Sequence, residues 1–278
     1  MSGESFVQKL RRVCEAHQSL VCVGLDPDPA RMPLEDVLAF NNAIVDATYD
    51  LVCAYKPNMA FYEALGTAGL EALRGTVAHI RGCAPEVVVI GDAKRGDIGN
   101  TSRAYARALF EVWGFDAATV NPYLGGDSVE PFLSYQDRGV FLLCRTSNPG
   151  ARDLQDLTIE DDGEPLYMHV ARRAREWNVH GNVCLVVGAT YPEELKRVRA
   201  VCPEMPILLP GVGAQAGDLE AAVRNGVDSE GRLAIINSSR GILYASRGPD
   251  FPQAARGATE RLRDSINEVL SQEGKPWS

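Results

Sequence analysis

Residues 91–101 read Gly91-Asp92-Ala93-Lys94-Arg95-Gly96-Asp97-Ile98-Gly99-Asn100-Thr101, directly after the β-branched run Val87-Val88-Val89-Ile90. A short continuous apolar run of this kind is the pattern of a strand buried on both faces. Residues two apart in a strand point to the same side, so Asp92 and Lys94 project together at its C-terminal end. Gly96 can break the strand and leave Asp97 in the turn that follows. Two carboxylates and one ammonium then gather at the end of a buried strand, and an Asp beside a Lys holds both ionised. Such a cluster is either a salt bridge capping a strand or a reaction centre. The second reading needs the rest of the chain to supply a substrate pocket above the same edge.

Outward from this motif, strand-like runs alternate with helical ones. Before it lie an amphipathic segment over 5–17, a strand over 19–25 ended by Asp26-Pro27-Asp28-Pro29, a helix over 34–49, and a strand Leu51–Tyr55 followed by Lys56-Pro57-Asn58. A helix or helix pair over 61–82 leads into Val87–Ile90. After the motif come a helix over 101–113, strand 116–120, a helix with Asp127 as its N-cap, and strand 139–144 ending in Arg145-Thr146-Ser147-Asn148-Pro149-Gly150. A polar, acidic excursion over 151–165 precedes a helix over 166–177. Three further strands, 182–187, 206–209 and 233–236, alternate with helices over 192–201, 217–225 and about 252–271. Eight buried strands, each followed by a helical segment, predict an α/β protein with a (β/α)8 TIM-barrel fold, in preference to a doubly wound open sheet. No linker-like tract or break in composition divides the chain, so residues 1–278 are read as one domain. In a barrel the loops after the strands form the active face. Asp26, Lys56, Asp92, Lys94, Ser147, Gln215 and Arg240 then come from different strands and face one mouth.

Composition narrows the partners. With 278 residues, 45% hydrophobic and 23% charged, the chain has the make-up of an ordinary globular protein with one large core. A formal net charge of −9 argues against a nucleic-acid binder that works by bulk attraction, so an anionic substrate would need local positive charge. Seven scattered cysteines without a C-x-x-C pair indicate neither a zinc site nor a disulfide framework, and they point to a reducing cytoplasm. No signal-peptide core stands at the N-terminus, and no run approaches the roughly 20 apolar residues of a membrane span.

Local positive charge is available where this fold usually holds phosphate, at the ends of strands seven and eight. There the chain reads Pro210-Gly211-Val212-Gly213-Ala214-Gln215 and Ser238-Ser239-Arg240-Gly241. Glycines let backbone N–H groups approach an anion, Arg240 can contact phosphate oxygens with both arms of its fork, and Gln215 can donate from a loop. Lys56 is either a snorkelling surface lysine or a fixed charge in the mouth. Asp26 either caps the turn at Pro27 or accepts hydrogen bonds from a sugar hydroxyl. Thr146 and Ser147 either cap a helix or exchange hydrogen bonds with a polar heterocycle. The four histidines lie away from strand ends and receive no catalytic role.

Taken together, Asp26, Tyr55-Lys56-Pro57-Asn58, Asp92-Ala93-Lys94-Arg95-Gly96-Asp97-Ile98, Thr146-Ser147, Pro210–Gln215 and Ser239-Arg240-Gly241 resemble orotidine 5′-phosphate decarboxylase, in particular its longer bacterial form. The resemblance covers nearly all strand ends from residue 20 to about 245. Other sugar-phosphate barrels share D-x-K-x-x-D but use it to hold magnesium, and Lys56 with the Gln215–Arg240 pair fits the decarboxylase better. The resemblance implies formation of UMP and carbon dioxide from orotidine 5′-monophosphate, with no metal and no organic cofactor. It implies Lys94, Asp92, Asp97 and Lys56 as the catalytic charges. Asp26, Thr101, Ser147, Pro210, Gln215 and Arg240 are implied as substrate contacts. It further implies a homodimer in which Asp97 and Thr101 enter the neighbouring subunit's site, and it offers no role for the acidic segment within 151–181.

Overall fold

The computed structural model describes residues 3–160, 162–211 and 216–277, so Gln215 lies outside the described residues. Eight strands close into a barrel in sequence order, every neighbouring pair parallel. In chain order the elements are α1 (Phe6–His17), β1 (Val21–Leu25), α2 (Val37–Thr48), β2 (Ala54–Pro57), α3 (Met59–Glu63), α4 (Gly66–Cys83) and β3 (Val88–Arg95). Next come α5 (Gly99–Arg107), β4 (Ala117–Val120), α6 (Gly126–Leu133), β5 (Gly139–Arg145), α7 (Leu166–Trp177) and β6 (Val183–Val187). The chain continues through α8 (Pro192–Val201), β7 (Ile207–Pro210), α9 (Ala216–Gly226), β8 (Ala234–Ser238), α10 (Arg240–Leu243) and α11 (Phe251–Gln272). A strand with barrel interior on one face and helices on the other has no wet side, and this is why β1, β2 and β6 are buried along their whole length.

The floor of the barrel is the end where the strands begin. Helix α1 opens with a capping box between Ser5 and Gln8, and Phe6 meets Phe141 of β5 edge-on at 5.9 Å. Asp116, buried just before β4, accepts from Lys9 of α1, Arg81 of α4 and the Val89 N–H, each at 2.8 Å. Removing a partner from a buried charge of this kind is strongly destabilising, so Asp116 acts as the knot that fixes α1 and α4 under the strands.

Several boundaries differ from the sequence expectation. Lys56 lies inside β2, opposite Gly24 of β1, rather than after the strand. Pro57 is the last residue of β2, a position where its missing N–H breaks no internal ladder, while the apolar Leu51 belongs to a 3₁₀ turn, Tyr49–Leu51. The helical segment after β3 changes pitch, α5 passing into a π-helical turn at Ala108–Val112. Asp127 is not an N-cap: Gly125 takes that place at φ +93°, and Asp127 falls in the first turn of α6. A 3₁₀ turn, Pro149–Asp153, leads into the excursion over 151–165, which also holds an antiparallel bridge between Thr158 and Pro165.

Candidate active site

The centre of the mouth is the end of β3. The ladder between β3 and β4 slips between Gly91 and Arg95, and Lys94 takes up the slip with a left-handed backbone at φ +47°. For a residue with a Cβ this conformation costs about 1–2 kcal/mol, and such strain collects where a side chain must be aimed. Thr119 of β4 bridges the irregularity. Its Oγ1 accepts the Lys94 N–H and donates to Asp92 Oδ1, both at 2.9 Å.

Asp92 is thereby shared among three donors. Lys94 Nζ donates to Oδ1 at 2.6 Å, and Lys56 Nζ donates to Oδ2 at 3.0 Å from the neighbouring strand. Lys56 and Asp92 are buried, whereas the Lys94 side chain keeps 49% of its surface exposed and can meet a substrate. Burial alone would push the Asp92 carboxyl up, but the charges of Lys56 and Lys94 outweigh it and hold the group well below the usual carboxylate range. Burial likewise opposes the Lys56 ammonium, and Asp92 and Asp26 more than offset that, so its pKa stands above that of an ordinary lysine. Asp92 and Lys56 are therefore both ionised at neutral pH.

A deep cavity lies beside these charges rather than over them. About 820 Å³ in volume, it is lined at the ends of β1, β7 and β8 by Asp26, Gly211, Asn237, Ser239, Arg240 and Tyr244, among others. Asp26 joins the two regions: it lines the cavity, its charge acts on Lys56, and its Oδ1 is buried without a hydrogen-bond partner among the described residues. An orphaned acceptor at that point is suited to a hydroxyl of a ligand spanning from cavity to triad. Gly24 of β1 permits the close approach of β8, since a Cβ there would stand 1.9 Å from Ser239 Oγ.

The other expected residues divide into groups. Arg240 is exposed at the start of α10 and faces the cavity, and Pro210 ends β7 beside Gly211. Ser147 follows β5 and is wedged against the end of β6, where a Cβ on Gly188 would come within 2.8 Å of its Cα and Cβ. Asp97 and Thr101 do not join the triad of their own chain. Asp97 Oδ1 accepts the Ile98 N–H, with no ion pair to Lys94 among the described residues, and Thr101 is exposed in the first turns of α5.

Sequence reading missed Thr119, Asn237 and Tyr244. A lone Thr next to last in Ala117-Ala118-Thr119-Val120 and an Asn next to last in the apolar β8 were the available signals. Tyr244 gave none, because its role rests on a contact across the whole chain: its hydroxyl accepts the Asp28 N–H at 2.7 Å and donates to the Asp26 carbonyl at 2.9 Å. Asp46, His79 and Cys83 also gather, their ligand atoms within 4.8 Å of one another, but at the floor ends of α2 and α4 and away from the mouth.

A protein-family model described as "Orotidine 5′-phosphate decarboxylase / HUMPS family" matches residues 19–254. The chain belongs to the orotidine 5′-phosphate decarboxylase / HUMPS family. It is 54% identical over 265 residues to the orotidine 5′-phosphate decarboxylase of Dehalococcoides mccartyi, covering 94% of this chain and 97% of that protein. The decarboxylase of Thermomicrobium roseum is 53% identical over 272 residues, covering 95% and 96%. Among solved structures, the OMP decarboxylase of Leishmania donovani superposes with a TM-score of 0.84 at 40% identity, covering 95% of this chain and 98% of that one. Family membership makes the chain a carboxy-lyase on a TIM barrel, and the triad at the end of β3 falls within the matched residues.

Proposed function

We propose that this mouth decarboxylates orotidine 5′-monophosphate to UMP and carbon dioxide, through an ion triad that carries the chemistry without metal or organic cofactor. The activity is that of an orotidine 5′-phosphate decarboxylase of pyrimidine nucleotide synthesis. The observation that carries the mechanism is the single carboxylate of Asp92 held between Lys56 at 3.0 Å and Lys94 at 2.6 Å. Breaking the bond from C6 to the carboxylate leaves the electron pair on C6 with little resonance relief. The Lys94 ammonium, fixed by the strained backbone at the end of β3, stabilises that pair and delivers its proton to C6. Carbon dioxide leaves, and Lys94 regains a proton from water. Asp92 orients Lys94 and lies beside the departing carboxylate, and Lys56 keeps Asp92 ionised.

One proton donor supplies about 10²–10⁴-fold, so binding of the remote phosphate must contribute to ordering the triad. Arg240, the Pro210–Gly211 turn and Gln215 are the proposed phosphate contacts, Asp26 the ribose contact and Ser147 the base contact. We take residues 1–278 as one catalytic domain.

The acting unit is proposed to be a homodimer in which Asp97 and Thr101 complete the partner's site. Asp97 and Thr101 make no hydrogen bond or ion pair with their own triad among the described residues, and the loops after β3 and β4 expose Ile98 at 58%, Tyr123 at 76% and Leu124 at 49%, which supports an interface there. No helix among the described residues is long and apolar enough to cross a membrane. Cytoplasmic placement is supported by seven free cysteines, six of them buried.

The test is turnover of orotidine 5′-monophosphate, followed by ultraviolet absorbance, with a chelator present. Turnover that survives the chelator supports the proposal. Turnover that chelation abolishes and magnesium restores would instead favour the magnesium-dependent branch of these barrels. A folded protein with no turnover under either condition points to a silent phosphate binder.

A further inference from the structure

The acidic excursion after β5 is organised around one buried cation. Arg145, the last residue of β5, is fully buried, its guanidinium 4.0 Å above the Tyr191 ring. Its Nε and Nη2 face the two carboxylate oxygens of Asp156 at 3.0 and 3.2 Å, and Nη1 donates to the Thr146 carbonyl at 3.0 Å. Gln155, next to Asp156, grips the same residue from the other side. Its Oε1 accepts the Thr146 N–H at 2.8 Å and its Nε2 donates to Thr146 Oγ1 at 2.9 Å. The excursion is itself tied down, because the Gln155 carbonyl accepts the Tyr167 N–H of α7 at 3.0 Å. Every polar group of Thr146 is therefore engaged by Arg145, by the excursion or by Asn148.

Thr146 precedes Ser147, which is wedged against Gly188 at the end of β6 and lies close to Gly211 on the cavity wall. A loop peptide held at N–H, carbonyl and side chain has lost the freedom that a polar contact to a ligand would otherwise have to freeze out.

We propose that Gln155, supported by the Arg145–Asp156 pair, is a positioning residue that presents the Thr146–Ser147 peptide to the nucleobase. It fixes affinity for the base half of the nucleotide and leaves the ribose-phosphate half untouched. The proposal rests on the reading of Ser147 as the base contact.

The experiment measures competitive inhibition by UMP and by ribose 5-phosphate in the wild type, Gln155→Ala and Gln155→Glu. A glutamate retains two acceptors for the Thr146 N–H and hydroxyl and stands beside Arg145. UMP inhibition weakens about 10-fold in Gln155→Ala, the order expected for lost hydrogen bonds at an ordered contact. Ribose 5-phosphate inhibition is unchanged, and Gln155→Glu returns UMP to near the wild-type value. Equal weakening of both inhibitors, or no change in either, overturns the positioning role. If wild-type enzyme binds UMP no more tightly than ribose 5-phosphate, the reading of Ser147 fails and takes the proposal with it. Thermal melts of both variants separate loss of fold from loss of positioning.

Discussion

Lys94 reaches Asp92 across 2.6 Å from a backbone turned to φ +47° at the slip in the β3–β4 ladder. The ammonium is aimed by the main chain, and the strain is held by Thr119, which binds the Lys94 N–H and Asp92 together.

That strain predicts a difference between two variants that both lack the ammonium. Lys94→Ala and Lys94→Gly should each fold, bind UMP and lose turnover by at least about 10²–10⁴-fold. Glycine adopts the left-handed region freely, so Lys94→Gly should be the more stable of the two by about 1 kcal/mol. Denaturant melts and a decarboxylation assay on both proteins check this; equal stability would mean that the conformation stores no strain.

Asp92→Ala leaves Lys56 buried without its counter-charge, and the loss should be about 3–5 kcal/mol. The pH dependence follows from the directions of the two shifts. Asp92 is held below the ordinary carboxylate pKa, so its contribution is present above about pH 4 and is lost as acid approaches its lowered value. Lys56 is held above the ordinary lysine value, so its contribution is present below about pH 10 and is lost as pH rises past its raised value. The stability that the pair contributes to the wild type should therefore be flat from about pH 5 to 9 and fall only outside that window. Denaturation at intervals of pH measures it.

Arg240 is exposed on the cavity wall and is the proposed phosphate contact. Charged hydrogen bonds contribute about 1.5–3 kcal/mol, so Arg240→Ala should weaken UMP binding about 10–100-fold while leaving uridine affinity unchanged. Parallel titrations with the two ligands decide it, and equal losses would move the phosphate elsewhere.

Of the seven cysteines only Cys83 is exposed, and burial together with the Asp46 carboxylate pushes its thiol up. Iodoacetamide should label native protein at Cys83 first, slowly near neutrality and faster with rising pH. The other six should react only after unfolding. Peptide mass analysis before and after denaturant reads the pattern.

Much of this molecule was legible in the order of its residues. The periodicity found α8 at its true limits, Pro192–Val201, and α7 at 166–177, and the eight apolar runs were the eight barrel strands. What escaped was set by contacts between distant segments. Leu51 looks like strand but turns at the floor, and a lysine before a proline looks like a strand end yet pairs inside β2. Asp92, Lys94 and Lys56 were found as a cluster because two share a strand and the third lies one residue before the end of its neighbour. Thr119, Gln155 and Tyr244 were not, since their partners lie 27, 9 and more than 200 residues away and no local pattern marks them.

The Tyr244 clasp has a consequence for the life of the polypeptide. It joins the loop after the first strand to the short helix after the last, across 218 positions of chain. The cavity proposed to hold the nucleotide is thus assembled from the two extremes of the sequence, while the charges proposed to react come from its first half. A nascent chain carries its lysines and aspartates long before it owns the pocket that would bring a nucleotide to them. Only a finished, closed ring can be occupied, so the ligand selects completed molecules and leaves truncated ones unprotected.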